Sequence, residues 1–300
     1  MNNATAVKSQ ADQSKKDGSL LVFLGALCFS GSGTIQALAP DEATPFIVGA
    51  LRLLVAGMFL IAWCYGKRLF QPLKADYFKL FLSASALAGF QITFFLGVQK
   101  AGVAAGTVVT IGTTPIMAAV FGLLFYGEIP SKNWYVSTAM AIFGLVLLNL
   151  NGTETFSVTA LLFPLSAGTI YAFYLSQSKD LVRENSPELV MTYLFLIASC
   201  LLIPIWVFFP CAWILSVRGI TVALGLGILT TALAYCLVMA GLKNCDTAKA
   251  ATLSLGEPLG AAVLGFAVLH EALNLWGLIG IAAIFASVLI LVYQPGKKNI

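Results

Sequence analysis

The sequence predicts an all-α integral membrane protein with ten transmembrane helices, arranged as two inverted five-helix repeats. Three observations carry this. The 300-residue chain is 59% hydrophobic and only 10% charged, with a mean hydropathy of +0.91. Soluble domains carry about 25% charged residues, so seventeen basic and thirteen acidic side chains cannot wet a globule of 31.8 kDa. The apolar residues fall in long continuous runs. The runs also repeat, with landmark residues recurring about 143 positions apart.

A helix needs roughly 20 residues to cross about 30 Å of hydrocarbon. Ten runs meet that requirement: 20–38, 45–65, 77–98, 103–126, 133–150, 159–178, 188–209, 219–240, 248–269 and 274–293. The first is too long for a signal-peptide core and reads as a retained helix. Pro45 and Pro187 each open a run, where a missing amide hydrogen costs nothing. Turn formers and charges separate the others, as in Glu128-Ile129-Pro130-Ser131-Lys132. The runs do not alternate polar and apolar residues, which argues against a barrel. Residues 1–19 read as a disordered cytoplasmic tail and 294–300 as a second tail. Residues 20–150 and 155–293 form the two repeats.

Lys and Arg set the orientation. Fourteen of the seventeen fall on one side of this alternation, including Lys8, Lys67, Lys132, Lys179, Lys243 and Lys298. Lys100 and Arg218 fall on the other, and Arg52 lies within a run. Both termini are therefore expected in the cytoplasm.

The repeat is legible in single residues. Pro115 and Pro258 lie 143 apart, as do Glu128 and Glu271; Pro45 and Pro187 lie 142 apart. Five helices is an odd number, so the second copy enters from the opposite face. Such inverted duplication suits a solute site at the interface of the halves, opened to either side in turn.

Other functions fit less well. No CxxC occurs among the six cysteines, and His270 is the sole histidine, which argues against a zinc centre, a disulfide framework or any metal site. No run pairs a nucleophile with a base, and no phosphate loop is present, so neither an enzyme nor an ATP-driven pump is expected. No cofactor and no nucleic-acid partner are implied. A facilitative exchanger or importer of another metabolite or drug is the alternative, and a membrane enzyme a remote one.

Two five-helix repeats, each with a proline in its fourth helix and a glutamate closing it, resemble the EamA family of the drug/metabolite transporter superfamily. Pro115, Glu128, Pro258 and Glu271 carry the resemblance, and Arg52 fits the pattern. The segment AYCLVMAGLKNCDTAKAATLSLGEPLGAAVLG is similar to the amino-acid exporter branch. Phe29, where the family often has Trp, and His270, where Gly is usual, depart from it. The resemblance implies a gradient-driven exporter of a small metabolite from the cytoplasm, in a bacterial inner membrane. An amino acid or related zwitterionic or aromatic compound is the expected substrate, with a proton as a second possible partner.

Ionisable groups at mid-depth are costly and need a reason. Arg52 and Glu257 are two such groups. They pair with each other, or stand as separate hydrogen-bonded anchors, or meet a substrate carboxylate and amine, Glu257 alternatively carrying a proton. Gln91 and Tyr235 correspond under an offset of 144, and Tyr171 and Tyr174 lie in the sixth run. Thr110, Thr114 and Ser254 flank the two prolines; they bind substrate or bond carbonyls of their own helices. Pro115 and Pro258 are read as helix kinks. Glu128 and Glu271 are read as gate elements that need a compensating partner at a helix C-terminus, such as an amide of the next helix. Trp63, Trp134, Trp206, Trp213 and Trp276 are read as an interfacial belt.

Overall fold

A computed structural model describes residues 2–149, 158–269 and 275–293. Among these residues the chain is helical and contains no strand. Among the described residues, helices lie over the apolar runs, some of them built from more than one segment. They are α1 (Asn2–Ala37), α2 (Pro45–Gly66), α3 (Tyr77–Ala101), α4 (Val103–Tyr126), α5 (Lys132–Leu148), α6 (Leu162–Glu184) and α7 (Pro187–Leu201). α8 runs over Val217–Leu242, α9 over Thr247–Val268 and α10 over Leu275–Val292.

Eight of the ten are long and apolar enough to cross a membrane. The other two, α5 with 17 residues and α7 with 15, fall short of that length. The shortening of α7 has a local cause. The expected run 188–209 is broken at Leu202, and a separate short helix, Ile203–Phe208, follows with Pro204 in its first turn. Proline supplies no amide hydrogen and disfavours helix in the residue before it. At the other extreme α1 starts at Asn2, where a disordered tail was expected through residue 19. Ala4, Ala6, Lys8, Gln10 and Ala11 are good helix formers, with no proline before the apolar run to stop them. The expected tail at 294–300 and the linker at 151–154 lie outside the described residues.

Capping fixes where helices begin. Asp76 accepts from the Phe78 amide, Ser131 from the Trp134 amide and Ser186 from the Leu189 amide. α4 ends on Gly127 in the left-handed conformation, at φ +63°. The Gly127 and Glu128 amides bond back to Leu123 O and Gly122 O, a left-handed closure that starts Glu128 on its way out of the helix.

Two helices are irregular at depth. Thr247–Leu253 and Gly256–Leu269 are separated by a turn at Ser254-Leu255, just ahead of Pro258, so this proline marks the expected break. Pro115 does not interrupt α4, which is continuous from Val103 to Tyr126. The two prolines correspond in sequence and differ in effect. Residues Gly225–Leu233 of α8 form a π-helix, which no sequence signal announced. Thr230 and Thr231 both donate their hydroxyls to Leu226 O there.

α6 packs against α3 and α4, and α1 against α8 and α9. α2 meets α7 and α8, α3 meets α7, α4 meets the start of α9, and α5 meets α10. Small residues let backbones approach, since lipid offers no hydrophobic drive between helices. At the α5–α10 crossing a Cβ on Gly144 would stand 2.6 Å from Gly280 O, and the converse holds as well. Two of the five tryptophans do not sit in a lipid belt. Trp134 is buried and donates to Ala248 O at 3.0 Å and Thr252 Oγ1 at 2.9 Å, tying α5 to α9. Trp213 is also buried, whereas Trp63 and Trp276 are exposed.

Candidate solute site and the closed end

Five helices bring their mid-depth polar and aromatic residues together. Arg52 of α2 donates from Nη2 to Gln91 Oε1 of α3 at 2.7 Å. Gln91 is 1% exposed, and its own amide donates back to Gly49 O of α2 at 3.3 Å, fixing which way it faces. The guanidinium is thus held by one nitrogen, and Arg52 Nε is buried without a partner. Glu257 of α9 lies within electrostatic reach of Arg52, yet no ion pair within 4.0 Å joins them among the described residues. Of the expectations for these charges, a direct mutual pair is therefore not formed, while Arg52 is anchored by a hydrogen bond to Gln91.

Tyr171 of α6 is in electrostatic reach of Arg52, Glu257 and Tyr235. All three of Arg52, Tyr171 and Glu257 are half-buried, on three different helices. Tyr174 and Tyr235 are wholly buried, and Tyr235 too lies within electrostatic reach of Arg52 and Glu257. An aromatic chain runs from Phe90 through Tyr171 and Tyr174 to Tyr235, with ring centroids 4.8, 5.6 and 6.0 Å apart. Phe29 and Phe195 present edges to Tyr235 at 4.8 and 5.4 Å. Tyr174 donates its hydroxyl to Met191 Sδ at 3.4 Å. Phe90 and Phe195 carried no sequence signal, because phenylalanine within an apolar run is unremarkable. Phe29 was visible only as a departure from the family pattern.

The remaining hydroxyls have other employment. Thr110 donates to Pro164 O of α6 at 3.1 Å. Thr114 donates to Thr110 O at 2.9 Å, with Gly168 O at 3.4 Å. Ser254 donates to Ala250 O at 3.1 Å within α9. All three bond backbone carbonyls; for Thr110 the carbonyl belongs to a neighbouring helix, which binds α4 to α6. Ser30 of α1 donates to the backbone oxygen of Glu257 at 2.9 Å, which ties α1 to α9.

A second polar cluster closes the lysine- and arginine-rich end. Glu128, just past α4, receives Lys179 of α6 on Oε1 and the Thr247 amide on Oε2, the latter at 2.8 Å. The expected compensating amide is there, but it comes from the start of α9 and not from α5. Lys179 also donates to Cys245 O at 2.7 Å and lies 5.6 Å from the centre of the Tyr126 ring. Nearby, Asn185 bonds both the amide and the carbonyl of Lys74 at 2.9 Å, and Lys79 pairs with Asp180 at 2.8 Å. Lys243 donates to Asn185 O at 2.6 Å, and burial pulls its ammonium below the ordinary lysine range. Lys179 carries no distinguishing signal in the sequence, where it is one interfacial charge among fourteen. Glu271 and His270 lie outside the described residues.

The model of the EamA-like transporter family matches residues 16–150 and 158–293. The chain is 34% identical over 288 residues to the uncharacterized transporter YwfM of Bacillus subtilis, covering 94% of this chain and 95% of that one. It is 30% identical over 261 residues to the threonine/homoserine exporter RhtA of Escherichia coli, covering 86% and 84%. It is 25% identical over 295 residues to the uncharacterized inner membrane transporter YicL of Salmonella typhimurium, covering 95% and 98%. A crystal structure superposes with a TM-score of 0.80 at 19% identity, covering 91% of this chain and 95% of that one, and so shares the fold.

Proposed function

The chain belongs to the EamA-like transporter family and is a multi-pass membrane protein; from that premise we propose that it exports a small zwitterionic metabolite, an amino acid in the first instance, by alternating access. One observation carries the choice of substrate. Arg52 and Glu257 stand near each other at depth without pairing, and Arg52 Nε is unpartnered. Two opposite charges left apart in low dielectric are costly unless something else joins them. A solute carrying a carboxylate and an ammonium fits between them: its carboxylate on Arg52, its ammonium on Glu257, its side chain against Tyr171 and Phe90. The likeness to a threonine/homoserine exporter supports the same class.

The inverted ten-span arrangement belongs to this proposal. The packing pairs are unchanged when each helix is exchanged for the one five places on. α3–α6 becomes α8–α1, α4–α6 becomes α9–α1, α2–α8 becomes α7–α3, and α2–α7, α4–α9 and α5–α10 return to themselves. That supports two equivalent modules about a pseudo-dyad in the membrane plane. α5 and α7 would then cross by virtue of the residues that flank them. The Lys and Arg distribution supports cytoplasmic termini in a bacterial inner membrane.

The test is counterflow in proteoliposomes loaded with one amino acid and challenged with a labelled panel. Saturable exchange of one amino-acid class, lost in Arg52→Met, is the expected result. Retention of exchange in Arg52→Met removes Arg52 from recognition. Glu257→Gln is measured across pH: full activity with unchanged pH dependence excludes Glu257 both as ammonium partner and as proton carrier.

A further inference from the structure

Building on the transporter reading above, we infer that Lys179, Glu128 and the amino end of α9 form a one-sided latch on the lysine- and arginine-rich end, and that α6 links this latch to the solute site. Lys179 is 3% exposed, though lysines near a span end ordinarily reach for water. It turns inward to a carboxylate contributed by the other half of the chain. That carboxylate also accepts from the first amide of α9, where the helix dipole favours an anion. α4, α6 and α9 therefore meet on one side chain. Parting them strands a buried ammonium and opens a helix end, so the junction has two positions and not a graded series.

The latch is one-sided because its cation has no counterpart. At the 142- and 143-residue offsets that relate Pro45 to Pro187 and Glu128 to Glu271, Lys179 falls on Ala37 and Gln36 of α1, neither of them a cation. What ties α1 at that other end is Arg218 Nε on Leu38 O at 2.6 Å, an exposed contact.

The link to the site runs along one helix. Tyr171 and Lys179 are eight residues apart on α6, about 12 Å along the axis and about 80° around it. No break interrupts α6 between them. A solute that displaces Tyr171 moves a continuous helix, and Lys179 moves with it.

Cys245 is a native reporter. Its carbonyl receives Lys179, its thiol is 5% exposed beside Ser19 Oγ at 3.5 Å, and burial pushes the thiol above its ordinary range. Purified full-length protein is treated with N-ethylmaleimide and modification is followed peptide by peptide, with fully buried Cys64 of α2 as the reference for general loosening. Lys179→Met and the milder Glu128→Gln, which still offers Thr247 an acceptor, should accelerate labelling of Cys245 about tenfold or more. Lys179→Arg should stay within about twofold of the unmodified protein. Wild-type rates in both neutralised variants, or equal acceleration at Cys64, overturn the latch. Labelling needs no transport, so acceleration at Cys245 in a protein without counterflow keeps the latch and discards the transport reading. An exchanged amino acid should quicken Cys245 labelling in the unmodified protein, and no change rejects the link through α6.

Discussion

The solute site and the latch are built from the same materials and finished differently. At the latch, Lys179 has a carboxylate, a carbonyl and a ring face, and both oxygens of Glu128 are occupied. At the site, Arg52 has one partner and a stranded Nε, and Glu257 has no ion pair with it. Folding alone rewards the first arrangement. The second costs stability, and on the proposed function a bound solute completes it. On that reading incomplete pairing at depth marks the binding region, and complete pairing marks the scaffold around it.

The difference is sharpened most by neutralising one charge in each region. Arg52→Met should lower transport efficiency about a hundredfold, the equivalent of ~2.7 kcal/mol. It should change thermal stability by less than about 1 kcal/mol, since an under-paired ion is exchanged for an apolar side chain of similar reach. Lys179→Met should do the reverse. Removing one partner of a buried pair costs about 3 kcal/mol, read as a lowered melting temperature in detergent. A stability loss in Arg52→Met as large as that in Lys179→Met would erase the distinction between the two regions.

A change remote from both regions calibrates these effects. Gly144→Val forces a side chain into the α5–α10 crossing, where even its Cβ would stand 2.6 Å from Gly280 O. Overpacking of this kind costs about 2 kcal/mol. The expected loss is in stability, with the apparent affinity for the solute unchanged. A weakened affinity in this variant shows that strain at the α5–α10 crossing reaches the site.

Much of this was legible in the sequence because the bilayer imposes so few solutions. The apolar runs gave the helices, and Arg52, Gln91, Tyr235 and Glu257 stood out because a polar atom at depth demands a partner. Which partner was not legible. The sequence could not say that Gln91 takes Arg52 while Glu257 makes no ion pair with it, because that depends on how α2, α3 and α9 rotate. Lys179 was hidden for a related reason: at the end of a run, an inward and an outward lysine have the same neighbours in sequence. Thr110, Thr114 and Ser254 left two readings open, substrate or backbone carbonyl. Their hydroxyls find carbonyls, two of them on α6, and only packing decides that. The break at Leu202 is foreshadowed by Pro204, but hydropathy alone does not register it.

The π-segment of α8 offers the finest test, because it adjoins the site and yet is held like scaffold. It ends two residues before Tyr235 and packs against α1 and α2. Thr230 and Thr231 both donate to Leu226 O, at 3.0 and 2.8 Å. Two donors on one acceptor make each partly redundant, so Thr231→Val alone should cost about 0.5 kcal/mol. Thr230→Val with Thr231→Val should cost more than the sum of the single changes, because only then does the carbonyl lose both hydroxyls. π-turns inside α-helices recur at functional sites, where they set the direction of the residues that follow. Here the residue that follows is Tyr235. If the double variant weakens apparent affinity for the solute more than it lowers the melting temperature, the π-segment works with the site by aiming that ring. If stability falls and affinity holds, the π-segment belongs with the latch, as a fully partnered piece of scaffold.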